Sequence, residues 1–431
     1  MQLRKHWAFG GLIVCLVAPH IVVAADGPSP SFSVAASGAV STGSLESMVA
    51  RALASHPEIE SLRMAQDAAS AAREQAGLIA NPEFSYSMED RGKVSENRTW
   101  ELAQPIELGG KRAARQRLGD SDYELARQAL QQKQIEIVAR VHAAYFQLAL
   151  AVSREKQAEA NHDVAQRFSA IVEKRAAAGK VAPLEASKSR QPALLAGNEL
   201  SQARQQRQLA RERLAILLGS SANELGEPSS VLPNLALDWG QLQEYMKQAP
   251  GVRIATQQQE RQAADLAVQR SLAIPNVQVR AGIKETPELH ERGLTLGVSI
   301  PIPLLNRNQG AIGQAQARVY QAQAEAQATT RQIELDLRSL WGDLTNLRRS
   351  MALYERDLLP TSNTAFDAAR LGYELGKFQF LDVLDAQRSL LTSRNDYLTI
   401  QAQYIDALTR LEMLLGVDLL TASATNTGAK Q

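Results

Sequence analysis

The chain contains the same run of residue types twice, at a constant spacing. Gly376 follows Gly179 by 197 residues, and Gly416 follows Gly219 by the same interval, so the stretches between these glycines align without a gap. Each stretch ends a longer unit whose pattern predicts a helix, two short strands and two long helices. The duplication favours one body built from two repeats, although 431 residues would allow about three ordinary domains by length.

The helices are predicted from hydrophobic periodicity and from long intervals with little proline or glycine. They are expected at 45–78, 111–178, 184–218, 242–272, 309–375 and 381–415. Pro57 is expected to break the first of them, and Pro192 and Pro360 to disturb two of the long ones. The predicted organisation is a signal peptide (1–25), a flexible linker (26–44), repeat 1 (45–219), a joint (220–240), repeat 2 (241–416) and a disordered tail (417–431).

The N-terminus has the pattern of a secretory signal peptide. Arg4 and Lys5 precede an apolar run, and the small residues Ala24 and Ala25 suit a cleavage site. A retained membrane anchor is the alternative interpretation. The single cysteine, Cys15, lies inside the apolar run, so the mature chain is expected to have no lipid anchor, no disulfide and no thiolate metal site. No later segment has roughly 18 consecutive apolar residues, so no transmembrane helix is expected.

Two segments in each repeat alternate apolar and polar side chains, which is the period of a strand. Strands are predicted at about 82–89, 99–108, 276–284 and 294–303. Four strands cannot close a barrel, because about eight are needed even for a filled one, so closure without edges requires several chains. An apolar outer face and a polar inner face are typical of a membrane barrel. The alternative is a pair of solvent-exposed hairpins that cap a helical rod.

The chain resembles the outer membrane factor (TolC-like) family over nearly all of the mature sequence. Residues 104–112, Gln-Pro-Ile-Glu-Leu-Gly-Gly-Lys-Arg, resemble the strand-to-helix junction of the heavy-metal efflux branch, the CzcC-like proteins. Residues 371–376 and 381–386 resemble the periplasmic tip of the second repeat in that family. The resemblance implies a mainly α-helical fold with a small β part, in which a homotrimer forms a transmembrane β-barrel and a periplasmic helical barrel.

The same resemblance implies an export channel in the outer membrane with a long periplasmic extension. Its partners would be outer membrane lipid, a periplasmic adaptor (membrane fusion) protein and an inner-membrane resistance-nodulation-division pump. The cargo would be divalent heavy-metal cations of the cobalt, zinc, cadmium and nickel type. One alternative keeps the channel and changes the cargo to drugs or other organic solutes. A structural alternative is a secreted helical rod or adhesin, which would show sustained heptads and no barrel.

Two carboxylates near the second tip are candidates for a pore constriction. Asp382 and Asp385 are three residues apart and therefore share a helix face. By resemblance this end is the narrow periplasmic mouth, where rings of carboxylates would favour cations. In the alignment of the two repeats, Glu185 corresponds to Asp382 and Lys188 corresponds to Asp385. The two tips therefore differ in charge, and we expect the second repeat to line the constriction more than the first. An ordinary solvated helix face is the alternative.

Other tip residues are candidates by resemblance. Tyr373 matches a tyrosine that can hydrogen-bond an acidic residue of the neighbouring repeat, and Glu185 matches that acidic position. This pair would hold the mouth closed, and aromatic packing alone is the alternative. The basic position of the family's latch falls at Phe378, which cannot form a charged link. The turns Gly179-Lys180 and Gly376-Lys377 are predicted to end helices with left-handed glycines and, by resemblance, to face the adaptor.

Several classes of function are not indicated. A formal net charge of +1 offers no basic field for nucleic acid. The mature chain has His56, His142, His162 and His290, which are scattered without metal-ligand spacing, so no metal site and no cofactor is expected. There is no phosphate-binding loop, zinc-protease motif or nucleophile elbow, so the sequence does not indicate an enzyme.

Overall fold

The computed structural model describes residues 45–90, 96–222, 225–228, 232–233 and 238–419. The predicted signal peptide with Cys15, the linker, part of the joint and residues 420–431 lie outside this part of the chain. The helices described are α1 (Leu45–Ser55), α2 (Pro57–Ala76), α3 (Lys111–Ala177), α4 (Pro183–Leu217), α5 (Trp239–Lys247), α6 (Pro250–Leu272), α7 (Gln309–Leu353), α8 (Leu359–Glu374) and α9 (Phe380–Leu415). The strands are β1 (Glu83–Asp90), β2 (Glu96–Ile106), β3 (Val277–Thr286) and β4 (Glu291–Ser299).

The four strands form one antiparallel sheet in the order β1-β2-β3-β4. The central pairing, β2 with β3, joins a strand of the first repeat to a strand of the second. Within the described residues β1 and β4 each have one strand neighbour, so each presents an outer edge without a partner strand. Both hairpins therefore lie in a single sheet that is open at both ends.

One face of this sheet is apolar and exposed. The register aligns Phe84, Leu102, Ala281 and Leu296 across the four strands. The next row of the same face is Tyr86, Trp100, Ile283 and Leu294. The exposed fraction is 70% for Phe84 and 74% for Leu294, so large apolar side chains on both outer strands face outward. Because a soluble protein rarely exposes a contiguous apolar surface of this kind, the face is suited to contact lipid.

The opposite face of the sheet is polar. It carries the aligned row Ser85, Glu101, Gly282 and Thr295. On this face the guanidinium of Arg280 lies 3.6 Å from the carboxylate of Glu101. The alternation predicted from the sequence thus separates one apolar face from one polar face, as expected for strands between lipid and water.

Long helices make up most of the chain. The 67 residues of α3 would extend about 100 Å at ~1.5 Å per residue. One 18-residue window of α3 is apolar enough by composition to cross a membrane, and 61% of it is buried inside the protein. The main core accounts for that burial, because Ile137 and Val141 of α3 pack there with Leu214 of α4 and Leu411 of α9. Both repeats thus share one hydrophobic core.

A π-helical turn at Tyr354–Leu358 separates α7 from α8. Pro360 is two residues beyond this turn and has no N–H to donate to the carbonyl four residues earlier, so the regular hydrogen-bond ladder is interrupted where the sequence predicted a disturbance. A ring contact and a hydrogen bond join this turn to α9. The Tyr354 and Tyr397 rings stack with centroids 6.3 Å apart, and the Tyr397 hydroxyl donates a hydrogen bond to Glu355.

The structure differs from the sequence expectations at three places. The helix predicted at 242–272 is two helices, because Ala249 leaves the helical region (φ −55°, ψ 139°) before Pro250. The alternation predicted a strand as far as Pro303, whereas β4 ends at Ser299, because Pro301 and Pro303 have no N–H for the ladder. The predicted tail is ordered at its start, since Leu419 is buried with an exposed fraction of 4%.

Gly282 offers a test of the central pairing of the sheet. A Cβ at this position would lie 2.5 Å from the carbonyl oxygen of Trp100 in β2. We expect Gly282→Ala to push β2 and β3 apart and to destabilise the sheet by about 1–3 kcal/mol, the usual cost of overpacking. The measurement is the denaturant midpoint of the folded protein in detergent.

Gly297→Ala in β4 is the matched control. A Cβ there would lie 3.9 Å from the Cβ of Arg280, which is an ordinary contact distance. Equal midpoints for the two variants would contradict the close approach of β2 to β3 at Gly282.

Candidate functional site

The two long hairpins of helices end in turns of the same geometry. Gly179, between α3 and α4, has φ +70°, and Gly376, between α8 and α9, has φ +73°. The Lys180 N–H donates to the carbonyl of Arg175 at 2.9 Å, and the equivalent Lys377 N–H donates to the carbonyl of Gly372 at 2.7 Å. These are Schellman turns, in which a left-handed glycine satisfies the last carbonyls of a helix.

Both turns are exposed. Gly179, Lys180, Gly376 and Lys377 all lie at the surface, and no atom lies within 4 Å of a Cβ built on either glycine. The glycines are therefore required by backbone conformation and not by crowding. The two lysine side chains are available for contact with another protein.

An aromatic cluster lies directly behind the turns and joins the two repeats. This tip cluster consists of Phe168, Val172, Phe366, Ala369, Tyr373, Phe380, Val383 and Leu390. The ring of Phe168 in α3 stacks on Phe380 of α9 with centroids 5.7 Å apart, and it meets Tyr373 of α8 at 5.5 Å. The second repeat thus contributes most of the cluster, and α3 of the first repeat closes it.

Tyr373 lies between polar groups of the first repeat. Its side chain is buried, and its hydroxyl lies 3.4 Å from Oε2 of Glu185 in α4. This distance is long for an O–H···O hydrogen bond, so the contact is a weak one. Burial raises the pKa of the Tyr373 hydroxyl above its usual value, and the nearby carboxylate of Glu185 adds to the rise.

Arg175 supplies a basic group at this site that the sequence did not indicate. Its Nη1 donates to the carbonyl oxygen of Tyr373 at 2.6 Å, and its guanidinium carbon lies 4.6 Å from the centre of the Tyr373 ring. The partners are 198 residues apart in sequence. Only the repeat alignment could have suggested this contact, because it places the tips of α3 and α8 at equivalent positions.

Phe378 occupies the position at which the resemblance implied a basic latch residue. Because its side chain is an uncharged phenyl ring, it forms no charged link. Its ring lies against Gly372, where a Cβ would collide with it. Gly372 is the residue of the second repeat that aligns with Arg175 of the first. One repeat therefore uses this position for a guanidinium and the other uses it to make room for an aromatic ring.

The two candidate pore carboxylates differ in their local roles. Both are exposed. Asp382 is at the third position of α9, where its Oδ2 accepts the Gln379 N–H at 2.8 Å and completes a capping box. Among the described residues Asp385 has no hydrogen bond and no ion pair. Asp385 is therefore the carboxylate whose charge can be removed without disturbing the start of α9.

The junction between the sheet and α3 explains the conspicuous residues at 104–112. Arg115 donates two hydrogen bonds to Glu107, at 2.6 and 3.0 Å, and so fixes the end of β2 to the first turns of α3. Lys111, which is buried, donates to the side chain of Asn276 at the start of the second repeat's hairpin. These contacts hold the sheet and the long helix in a fixed relation, so the motif has a structural role.

One histidine departs from the expectation that all four are isolated. In the described part of the chain His142 of α3, Glu412 of α9 and Asp418 come together, with candidate ligand atoms within 4.8 Å of one another. His142 Nδ1 lies 3.1 Å from Oε2 of Glu412, and both side chains are buried. Sequence spacing could not show this group, because His142 and Glu412 are 270 residues apart.

Comparisons with known proteins identify the type of molecule. The family model described as "Outer membrane efflux protein" matches residues 48–220 and 242–417, one match in each repeat. The cobalt-zinc-cadmium resistance protein CzcC of Cupriavidus metallidurans is 32% identical over 94% of this chain and 98% of its own length. The nickel-cobalt-cadmium resistance protein NccC of Alcaligenes xylosoxydans xylosoxydans is 29% identical over 58% of this chain and 59% of its own.

The fold agrees with this assignment. The outer membrane protein VceC of Vibrio cholerae superposes with a TM-score of 0.74 at 20% identity, covering 86% of this chain and 96% of that one. This chain thus has the fold of that outer membrane protein. The chain belongs to the outer membrane efflux protein family, whose members are the outer membrane channels of tripartite efflux systems.

Proposed function

We propose that this channel exports divalent transition-metal cations of the cobalt, zinc, cadmium and nickel type. The observation that carries this proposal is the similarity, over nearly the whole chain, to a protein named for resistance to cobalt, zinc and cadmium. A second relative, named for resistance to nickel, cobalt and cadmium, agrees with it. The channel itself is passive, and a resistance-nodulation-division pump in the inner membrane supplies the energy.

The open sheet supports assembly as a homotrimer. In the described residues both outer edges, β1 and β4, lack a partner strand, while the apolar face is suited to lipid. Unpaired backbone groups in hydrocarbon cost several kcal/mol each, so an open four-stranded sheet is not stable there. Pairing β4 of one chain with β1 of the next closes the ring, and the strands of three chains together suffice for a barrel.

The exposed turns support docking of a periplasmic adaptor. Lys180 and Lys377 project from equivalent Schellman turns at the end of the helices farthest from the sheet. Three chains would present six such turns around one axis. The adaptor bridges this end to the pump, so cargo does not enter the periplasm between them.

The acidic residues of α9 support a preference for cations at the mouth. Asp382 and Asp385 are exposed on one face of the first turns of α9, and three chains would bring six carboxylates around the axis. The first repeat has Glu185 and Lys188 at these positions, so its net charge there is zero. Cation attraction at the mouth therefore arises mainly from the second repeat.

The contacts of Tyr373 support a role in holding the two repeats together at the mouth. Arg175 contributes a charged hydrogen bond of about 1.5–3 kcal/mol and a cation–π contact of about 0.5–2 kcal/mol, before the cost of ordering its side chain. The contact to Glu185 is longer and adds less. The basic latch group absent at Phe378 is thus replaced by Arg175.

A single substitution tests the role of the acidic face. We expect Asp385→Asn to lower the cation selectivity of the channel, because it removes three negative charges from the trimer without removing a helix cap. The measurement is the reversal potential across a planar bilayer under a salt gradient, with a shift toward zero for the variant.

Asp406→Asn is the control for this experiment. Asp406 is also an exposed carboxylate of α9 but lies more than twenty residues from the tip, where it pairs with Arg410. If the two variants shift the reversal potential equally, Asp385 has no special position at the mouth.

A second substitution tests the contact between the repeats. We expect Arg175→Gln to weaken the closed tip by about 2 kcal/mol, since it removes the charged hydrogen bond and the cation–π contact. The measurement is single-channel conductance, which should rise at least twofold.

Arg190→Gln is the matched control for Arg175→Gln. Arg190 lies near the same tip and is exposed, and its ion pair is with Glu173 of the first repeat. Its substitution should leave conductance unchanged, as expected for a surface ion pair. A conductance unchanged in both variants would rule out the latch role of Arg175.

Deletion of the gene tests the cargo. We expect growth of the deletion strain to be inhibited at metal concentrations several-fold lower than for the wild type, for at least one of zinc, cadmium, cobalt and nickel. Sensitivity to detergents, dyes and antibiotics should stay within twofold. Hypersensitivity to the organic compounds alone would replace the metal assignment with the drug-channel alternative.

A further inference from the structure

We propose that His142, Glu412 and Asp418 form a binding site for one divalent transition cation, such as Zn²⁺, inside the helical wall of each chain. The site lies in the main core, away from the turns and the carboxylates of the mouth. It goes beyond the export function, because it would hold a resident ion and would not be a station on the export path.

The donor set comes from three segments that the fold brings together. His142 projects from α3, Glu412 from the last turns of α9, and Asp418 from the segment after α9. The candidate ligand atoms lie within 4.8 Å of one another. Zinc accepts imidazole nitrogen and carboxylate oxygen at roughly 2.0–2.2 Å, which brings ligand atoms to about 3.4 Å apart in a tetrahedral site. Asp418 is the most exposed of the three.

Two of the three candidate donors are buried. His142 and Glu412 have exposed fractions of 1% and 3%, and Nδ1 is the ring nitrogen of His142 that faces Glu412. An imidazole nitrogen and carboxylate oxygens are donors that a divalent transition cation accepts, and a cation bound here would be shielded from water.

The repeat shows that the fold does not need an acid at this place. Within the ungapped alignment, the residue of the first repeat equivalent to Glu412 is Ala215, which is also buried. The same helical position therefore packs well with an apolar side chain. A buried carboxylate is costly unless it is compensated, so its presence in the second repeat alone indicates a purpose other than packing.

Gly416 turns the chain so that Asp418, the third candidate ligand, lies near the other two. Its φ of +69° reverses the chain after α9, and a Cβ there would lie 2.6 Å from Cγ of Pro250. The reversed chain returns to Glu412, whose Oε1 accepts the Leu419 N–H at 3.2 Å. A bound cation would therefore fasten the segment 417–419 to α3 as well as to α9.

Metal analysis of the purified full-length mature protein tests this proposal. The protein is stripped with EDTA in detergent and equilibrated with Zn²⁺ alone. Both mouth carboxylates are first replaced, Asp382→Asn and Asp385→Asn, so that they do not bind zinc. We expect one zinc per chain and a melting temperature raised by about 3 °C or more, because the cation binds the folded state only.

His142→Gln is the decisive variant. Glutamine can still donate a hydrogen bond to Glu412 but is a poor zinc ligand, so zinc affinity should fall at least tenfold and the rise in melting temperature should disappear. His162→Gln in the same helix lies outside the cluster and should change neither quantity. Absence of stoichiometric zinc in the parent protein, or equal zinc affinity in His142→Gln, would overturn the proposal. Neither result depends on which solute the channel exports.

Discussion

The pairing of β2 with β3 is the contact on which the rest of the structure depends. It places a hairpin from each repeat in one sheet, so the four strands share one apolar and one polar face. Because the outer edges of β1 and β4 have no partner within the described chain, the sheet can enter hydrocarbon only after other chains cover them. The hydrogen bonds of Arg115 to Glu107 and of Lys111 to Asn276 connect this sheet to the start of α3. The sheet therefore sets the starting position of α3, and packing of the helices against one another carries it to the tips.

The two repeats share a backbone but differ in chemistry at equivalent positions. Glu185 and Asp382 are both the third residue of a return helix, yet Asp382 caps its own helix while Glu185 faces Tyr373 of the other repeat. Arg175 aligns with Gly372, and Ala215 aligns with Glu412. In each pair, one residue caps or packs within its own repeat, and the other contacts a residue of the other repeat. Duplication supplied the common backbone, and the divergence of these few side chains supplied these particular contacts between the two repeats.

The sequence predicted the helices and strands well, because hydrophobic periodicity is a local signal and the same pattern occurs in both repeats. It placed the end of α3 within one residue and the disturbance before Pro360 within a few. It missed the break before Pro250 and extended β4 to Pro303, because alternation outweighed the missing N–H groups of the prolines. The sequence did not predict the contacts of Arg175 with Tyr373 and of His142 with Glu412. Their partners lie 198 and 270 residues apart, and no periodicity connects them.

The relative size of the contacts at the tip decides what each of them does. Burial of an aromatic ring contributes about 1.5–3 kcal/mol, so the three rings of Phe168, Tyr373 and Phe380 together exceed the polar contacts of Arg175 and Glu185. The aromatic cluster therefore holds α3 against α8 and α9. The polar contacts are directional, and they set the orientation of the turns.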